Sequence, residues 1–456
     1  MGPWRGLSRA SFVHDLTRGS PTRGILLFAL PLLAGDFFQL FYSMADAFIV
    51  GRTLGVNALA AVGCGFGLMS FIFGFSFGLT NGFAVITAQR VGAADEEGIR
   101  KSVATSLSLC AAFSVLFTLV LSPLAGPLLT LMATPQEILA DAVGYITIIL
   151  WGMTATLLYN MLANILRAAG DSLTPLFFLI LSSLVNIGLD YLCILVLGWG
   201  IRGAAAATVF SQILSTLLCA GLVRKRFPRL LPRREHWAPR RREIGVHLAL
   251  GVSMGLQQSV VEVGNMLVQT AINGLGTVTI AAVSTAQRIR NLNLEPLFCL
   301  SRAVTTYTAQ NYGAGKIPRI YRGMFRACLL SLGASLLMLL LNLFLGAHFA
   351  ALFLKDNPEA VAMAHRYLLY IGFTLFLLGV MLIFRSALQG LGKNIAPILC
   401  GVAETLMSIL AAFWLIPRLG FTGICLVNPL SWFASGIPLY IAFWSVSRRL
   451  RAQDRI

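Results

Sequence analysis

Apolar stretches long enough to cross a lipid bilayer recur along the whole chain. A bilayer core requires about 18–20 consecutive apolar residues, and twelve stretches of roughly this size can be identified. They lie near 25–50, 58–88, 103–132, 141–166, 174–197, 204–223, 245–272, 279–309, 327–354, 367–388, 396–416 and 421–446. Only 12% of the residues are charged, which is too few to cover a water-facing surface. The sequence therefore predicts an all-α polytopic membrane protein with twelve transmembrane helices.

The formal net charge of +17 is concentrated in one alternating set of connections between these helices. Twenty-six Lys and Arg residues, beginning with Arg5 and Arg9, fall in that set, and five fall in the other. Because Lys and Arg are enriched in cytoplasmic loops, both termini are predicted to be cytoplasmic, in a multi-pass protein of the cell membrane. The excess of basic residues is thus explained by membrane topology and by contact with anionic membrane lipid. Nucleic-acid binding is therefore not expected.

No cofactor is expected. The eight cysteines lie in or beside apolar segments without a C-x-x-C motif, as small buried hydrophobic residues do. The five histidines are scattered at helix ends and loops, and no G-x-x-x-x-G-K-S/T motif for nucleotide binding occurs. The segment 1–24 has no apolar core of its own, so no cleavable signal peptide is expected. Any active process of this chain is therefore predicted to draw its energy from an ion gradient, with H⁺ or Na⁺ as the ion.

Three pairs of segments match between the two halves of the chain. "TLGVNALAAVG" (53–63) matches "GLGTVTIAAVS" (274–284), "TAQRVGA" (87–93) matches "TAQNYGA" (308–314), and "AAGDSLTP" (168–175) matches "GLGKNIAP" (390–397). The spacing between partners is nearly constant, and we call it the repeat offset. The chain is therefore predicted to form two six-helix lobes, 1–223 and 244–456, joined by a basic linker at 224–243. An even number of helices makes the repeats parallel, and such repeats suit alternating access around a midplane site.

The segments "PLLAGDFFQLFYSMADAFIVGRTLGVNALAAVG", "TAQRVGAADEE", "NILRAAGDSLTP", "NIGLDYLCIL" and "AQNYGAGK" resemble those of multidrug and toxic compound extrusion (MATE) transporters. The resemblance covers nearly the whole chain, and the motifs occur in the family's order. It implies cation-coupled export of organic, often cationic, compounds across a cytoplasmic membrane.

Asp46 lies inside a predicted transmembrane helix, where a carboxylate costs about 2.5–3.5 kcal/mol on insertion scales. Four predicted helices of the first half each carry a polar stripe at helical spacing: Gln39, Tyr42 and Asp46; Asn160 and Asn164; Ser182, Asn186 and Asp190; Thr208 and Gln212. If the stripes converge, they form a hydrated pocket whose two carboxylates can hold Na⁺ or a shared proton. Alternatively, the polar groups only satisfy one another between helices.

The resemblance assigns the coupling pair to Asp46 and Asp190, with Tyr42, Asn186 and Thr208 as neighbours. Asp36 faces about 80° away from Asp46 on the same helix, so it either lines the cavity mouth or pairs with a polar neighbour. Pro31 interrupts the hydrogen bonds of this helix and permits a bend. The family is thought to bend this helix, so Pro31 is the predicted hinge.

The second half lacks this pair of acids. Alignment of the halves places Asn265 opposite Asp46, Ser408 opposite Asn186, Ala412 opposite Asp190 and Asn428 opposite Thr208. An acid pair with a purely structural role would be expected in both halves. The asymmetry therefore favours one ion site, in the amino-terminal half.

The second half has intramembrane charges of its own. Arg288, Glu295 and Arg302 share one helical face, Glu262 and Asn265 share another, and Arg385 and Glu404 lie on later helices. These residues either form ion pairs between helices or line the substrate pathway. Glu262 falls near the place where some family members carry a functional acid.

The sequence as a whole favours a secondary active antiporter, expected to be a monomer, that exports small organic compounds. A flippase for lipid-linked sugars is the nearest alternative, although it favours fourteen helices and a basic cavity. An intramembrane lipid-modifying enzyme would require a D-D-x-x-D pair or a histidine cluster, and neither occurs. A channel fits less well with parallel repeats.

Overall fold

The structure is a computed structural model that describes residues 14–132, 134–354 and 357–453, with side chains described as far as Arg448. Arg5, Arg9 and both chain termini, on which the predicted topology partly rests, lie outside these ranges. The described residues form helices and connecting turns, without a strand. The α-helices are α1 Pro21–Leu54, α2 Val56–Cys64, α3 Phe66–Gly92, α4 Glu96–Leu131, α5 Gln136–Trp151, α6 Met153–Ala168, α7 Leu173–Tyr191, α8 Gly200–Arg226, α9 Arg241–Asn273, α10 Thr277–Gly313, α11 Ile317–Phe353, α12 Pro358–Gly390, α13 Ile395–Leu410, α14 Ile416–Leu419 and α15 Phe421–Gln453.

Short non-α segments complete the helical chain. Two π-helical segments, Leu192–Val196 and Ala411–Leu415, continue α7 and α13. Two 3₁₀ turns, Pro228–Leu230 and Arg234–Trp237, lie in the basic segment between α8 and α9.

Ten of the described helical spans are long and apolar enough to cross a membrane, or eleven if the bent pair α5 and α6 forms one span. The long helix α10 is not among them, and it carries several charged side chains near its middle. The prediction of an all-helical membrane protein is confirmed. The count of twelve spans remains a prediction.

Two of the predicted helices are broken at glycines. The predicted helix 58–88 is divided at Gly65, and the predicted helix 141–166 bends by 47° between α5 and α6, at Gly152. A Cβ atom on Gly65 would lie 2.5 Å from Ile146, and one on Gly152 would lie 2.3 Å from Val209. These breaks therefore bring the backbone against large side chains, and a larger residue at either position would force the neighbouring side chain to shift.

Special backbone features recur in the two halves at the spacing of the sequence repeat. Gly55 and Gly276, and likewise Gly170 and Gly392, have positive φ, and each pair is separated by the repeat offset. The π-helical segments begin at Leu192 and Ala411, which are separated by nearly the same spacing. Because π-helical segments are rare, their repetition, together with that of the glycine φ angles, indicates that corresponding segments adopt corresponding conformations.

The described residues fall into two compact units. The first unit comprises 14–15 and 34–252, and the second comprises 16–33 and 253–453. The boundaries lie inside α1, after Leu33, and inside α9, after Val252, again separated by nearly the repeat offset. These divisions do not coincide with the predicted lobes 1–223 and 244–456, because the beginnings of α1 and α9 each group with the opposite half of the sequence.

The beginning of α9 is fixed within the first unit by a buried chain of hydrogen bonds. The His247 side chain is fully buried, and its Nδ1 donates to the Glu243 carbonyl oxygen at 2.8 Å. Its Nε2 therefore accepts from Ser102 Oγ at 3.0 Å, and the Ser102 hydroxyl contacts Thr87 Oγ1 at 2.9 Å. An Arg90–Glu243 ion pair adds a second link between α3 and α9.

The beginning of α1 is fixed within the second unit. Leu16 and Phe28 are buried in one apolar cluster with residues of α10, α11 and α12, including Tyr307. The preceding turn accepts hydrogen bonds from side chains: Asn311 Nδ2 donates to the Leu16 carbonyl oxygen at 3.1 Å, and Lys316 Nζ donates to that of Thr17 at 2.8 Å. Apolar burial and charged donors together hold this segment in place.

Candidate functional site

The carboxyl groups of Asp46 and Asp190 meet inside the first unit. Asp46 lies in the carboxy-terminal half of α1, and Asp190 lies at the end of α7, just before the π-helical segment that continues it. The two carboxyl groups are direct neighbours of each other. On each carboxyl group the Oδ1 atom is buried and has no hydrogen-bond partner among the described residues.

Asn186, on α7, forms hydrogen bonds with residues of α1, α7 and α8. With its amide nitrogen directed towards the acceptors, Asn186 donates to Tyr42 Oη at 2.9 Å and to Asp190 Oδ2 at 3.1 Å. Its amide oxygen accepts from the Thr208 backbone N–H at 3.0 Å. The Tyr42 hydroxyl is also in hydrogen-bond contact with the Thr208 side chain. The structure thus brings together all five residues predicted for ion coupling, which lie on α1, α7 and α8. We call them the acid cluster: Tyr42, Asp46, Asn186, Asp190 and Thr208.

The acid cluster has the chemistry to hold one cation. Two ionised carboxylates in close proximity repel each other, so the pair is suited to sharing one proton. The alternative to a proton is a small cation that contacts both carboxylates. Sodium is such an ion, and the two unpartnered Oδ1 atoms, with the Tyr42 and Thr208 hydroxyl oxygens nearby, are hard oxygen ligands of the type it prefers.

The other polar residues predicted in the first half lie outside this cluster. Asp36 lies several helical turns before Asp46, about 15 Å of helix rise, and Gln39 is exposed. Asn164 is buried, donates to Thr80 Oγ1 at 3.2 Å and accepts from Arg167 at 3.0 Å. The bond to Thr80 joins α6 to α3, and the bond from Arg167 lies within α6. Asn160 is half-buried.

Gln212 lies one helical turn after Thr208 on α8. Its Oε1 atom is buried without a hydrogen-bond partner among the described residues. Gln212 therefore continues the polar stripe of α8 beyond Thr208 and lies next to the acid cluster.

The charged residues Arg288, Glu295 and Arg302 all lie on one helix, α10. Among the described residues, neither Arg288 nor Glu295 has an ion pair within 4.0 Å. The Arg302 side chain donates to Cys299 Sγ at 3.2 Å. On α9, Asn265 Nδ2 donates to Glu262 Oε2 at 3.5 Å. These residues remain candidates for the substrate pathway.

One ion pair anticipated from the residues of the second half is present. Arg385 Nη1 lies 3.7 Å from Glu404 Oε1, and each side chain is 12% exposed. The Cys400 thiol also contacts Glu404 Oε1 at 3.5 Å. This pair joins α12 to α13 and is a structural contact within the second unit.

Two tyrosines of functional interest were not singled out from the sequence. Tyr145 on α5 interacts electrostatically with both Asp46 and Asp190. Tyr367 on α12 stands one repeat offset later, at the corresponding position, and its hydroxyl accepts from Arg290 and Asn428. The occurrence of a tyrosine at corresponding positions of the two halves could have indicated their importance. An isolated tyrosine in an apolar helix, however, is normally a packing residue.

The family model MatE matches two segments of the chain, 31–192 and 253–414, whose starting positions are separated by the repeat offset. This chain belongs to the MatE family. The resemblance to MATE transporters is therefore confirmed, and members of the family are transporters rather than enzymes.

Relatives in this family include the "Probable multidrug resistance protein YpnP" of Bacillus subtilis, which is 27% identical over 413 residues, 90% of each chain. The "FAD transporter" of Shewanella oneidensis is 25% identical over 439 residues, 94% of this chain and 95% of the other. The MatE chain is thus a multi-pass membrane transporter.

A solved structure has the same fold. It is described as the outward-facing conformation of a multidrug resistance MATE family transporter of the MOP superfamily. The TM-score is 0.88 at 24% sequence identity, covering 97% of this chain and 99% of the other.

Proposed function

We propose that this MatE protein is an antiporter that exports organic compounds in exchange for H⁺ or Na⁺. The observation that carries the proposal is the contact between the Asp46 and Asp190 carboxyl groups, each with a buried, unpartnered oxygen among the described residues. Intramembrane acids of this kind mark ion pathways because lipid rejects them. The relative in Bacillus subtilis, named as a probable multidrug resistance protein, supports export of organic compounds.

In the proposed cycle, the acid cluster alternates between holding the coupling ion and releasing it. When the ion leaves, two negative charges remain in close contact, and each raises the energy of the other. The Tyr42 and Asn186 side chains adjust to the change because both lie within the hydrogen-bonded cluster. Asp46 lies on α1, so a change of its charge acts directly on that helix.

We further propose twelve transmembrane spans in two parallel repeats, in the cell membrane, with both termini in the cytoplasm. The recurring glycine φ angles, the recurring π-helical segments and the double match of the family model support the repeat. Pro31, just before the unit boundary in α1, is the proposed hinge. It supplies no N–H to the helical ladder, which lowers the energy needed to bend.

The test is export by purified protein in vesicles loaded with ethidium, a fluorescent organic cation, under a pH gradient and separately under a sodium gradient. Wild-type export should follow one gradient and thereby identify the coupling ion. The Asp46→Asn variant should retain the fold and lose gradient-driven export. The matched control is Asp141→Asn, which removes an exposed acid of α5 in the same unit. Full gradient-driven export by Asp46→Asn would refute the assignment.

A second candidate substrate is a flavin dinucleotide. The relative named "FAD transporter" matches 94% of this chain, so substrates within the family are not restricted to cations. FAD is itself fluorescent, and its movement into or out of the same vesicles can be followed directly. Saturable, gradient-dependent FAD transport would favour this candidate over ethidium.

A further inference from the structure

A half-buried arginine occupies the second unit where three helices meet. Arg290 lies on α10, and its Nη1 donates to Tyr367 Oη on α12 at 3.1 Å. Asn428 Nδ2 on α15 donates to the same tyrosine oxygen at 3.2 Å. Tyr367 itself is only 1% exposed, so these helices fix its hydroxyl group in place. We call Arg290, Tyr367 and Asn428 the basic pocket.

The Arg290 guanidinium has spare hydrogen-bonding capacity. Its Nη2 donates to Asn291 Oδ1 at 3.2 Å, and its Nε is buried without a partner among the described residues. A guanidinium has five N–H donors, and two hydrogen bonds use two of them. The remaining donors can bind an oxyanion in the parallel, two-bond geometry that arginine forms with carboxylate and phosphate.

Arg290 forms no ion pair with a described carboxylate. No described carboxylate lies within 4.0 Å of its guanidinium nitrogens. Glu262 on α9 interacts with it electrostatically from beyond that distance, while its carboxylate accepts from Asn265 at 3.5 Å. An arginine is always charged, and an unpaired charge in a low-dielectric interior is costly. The basic pocket is therefore suited to an anion.

The basic pocket is the counterpart of the acid cluster with the charge reversed. Tyr367 corresponds to Tyr145 by the repeat offset, and Tyr145 interacts with both acids of the first unit. Asn428 corresponds to Thr208. Arg290 corresponds to Met69, a buried apolar residue, by the same spacing as Gly276 to Gly55. The second half thus has neither acid and carries a base at an equivalent site.

We propose that the basic pocket binds the anionic group, a carboxylate or a phosphate, of an organic substrate. The proposal rests on the proposed transport function, and it gives the anionic group of an organic substrate a binding site in the second unit. Arg290 binds the oxyanion through its free N–H donors. Tyr367 and Asn428 position the guanidinium.

The test uses 6-carboxyfluorescein as the anionic probe and ethidium as the cationic probe. Saturable binding of each probe to detergent-purified protein is measured by fluorescence anisotropy without a gradient, and export of each is measured in vesicles. Arg290→Met introduces the residue of the first half, Arg290→Lys keeps the charge but loses the planar fork, and Arg366→Met removes an exposed arginine next to Tyr367 as the control.

Arg290→Met should lower the affinity for carboxyfluorescein by about 10- to 100-fold, the range expected for losing a charged hydrogen-bond partner. Arg290→Lys should bind with intermediate affinity, and Arg366→Met should bind as the wild type does. Wild-type affinity in Arg290→Met, or no saturable binding of carboxyfluorescein to the wild type, would overturn the proposal. If Arg290→Met is not recovered as monodisperse protein, wild-type affinity in Arg290→Lys overturns it.

The same experiment separates this proposal from the transport function on which it rests. Gradient-driven ethidium export by the wild type, together with carboxyfluorescein binding that does not depend on Arg290, refutes only the basic pocket. Export of neither probe under either gradient refutes the proposed antiport itself.

Discussion

The crossing of α3 and α9 in the first unit depends on a pair of glycines, so Gly82→Ala should destabilise the protein. A Cβ atom on Gly82 would lie 2.6 Å from Gly251 Cα, 2.7 Å from the Leu250 carbonyl oxygen and 2.8 Å from Gly251 N. Carbon atoms pack favourably at about 3.5–4.0 Å, so the two helices must separate by roughly 1 Å. All three atoms belong to the backbone and cannot move aside by rotating a side chain.

The expected magnitude follows from two opposing effects. Overpacking a well-packed interior costs about 1–3 kcal/mol, while replacing a helical glycine by alanine gains about 0.5–1 kcal/mol. The free energy of unfolding should therefore fall by about 1–2 kcal/mol. At about 2–4 °C per kcal/mol for a domain of this size, the Tm should fall by roughly 2–8 °C.

Gly245→Ala is the matched control because Gly245 lies on the same helix, α9, with no atom within 4 Å of an added Cβ. It should leave the Tm unchanged or raise it slightly. The assay is the fraction of detergent-purified protein that remains monodisperse on size-exclusion chromatography after heating. A Tm for Gly82→Ala equal to or above that of Gly245→Ala would refute the close-packing argument.

The remaining predictions concern other buried groups. Asp171, in the turn between α6 and α7, accepts from the backbone N–H groups of Leu173 at 3.1 Å and Thr174 at 2.9 Å, and burial raises its pKa above the ordinary 3.8. The native state then binds more protons than the unfolded chain, so the free energy of unfolding falls as pH rises from about 4 through the raised pKa. The Asp171→Asn variant keeps an acceptor oxygen but does not titrate, so it should not show this decline. Parallel pH profiles of Tm for the wild type and the variant would contradict the prediction. Arg385→Met leaves Glu404 buried without its partner at 3.7 Å and should lower the free energy of unfolding by about 3–5 kcal/mol. The double variant Arg385→Met/Glu404→Leu should recover most of that loss in the same thermal assay, and equal losses in the single and double variants would contradict the ion-pair assignment. Gly251→Ala should be partly rescued by Phe83→Leu, because the added Cβ would lie 2.3 Å from the Phe83 ring; a double variant no more stable than Gly251→Ala would contradict this.

Helical periodicity predicted most of the acid cluster because the residues concerned lie on few helices. Tyr42 and Asp46 are one helical turn apart, as are Asn186 and Asp190, so each pair shares a face whatever the fold. Whether the two faces meet could not be derived from spacing, and the structure places Asn186 within hydrogen-bond distance of Tyr42 and Asp190. Asn164 has the same spacing from Asn160, yet it bonds Thr80 and Arg167. Spacing identifies a face, and only tertiary packing identifies what that face meets.

The sequence by itself determined that the chain lies in a membrane, that it is helical and that it carries a pair of intramembrane acids. Scarce charge requires a membrane, apolar length sets the spans, and a carboxylate at Asp46 requires a partner. The tertiary structure alone decided that α1 and α9 each begin in the unit of the opposite half, and that Arg290, Tyr367 and Asn428 converge. The physical reason is that apolar helices face lipid and protein with similar side chains, so their neighbours are chosen by close packing and by paired polar groups. Neither kind of contact leaves a local pattern in the sequence.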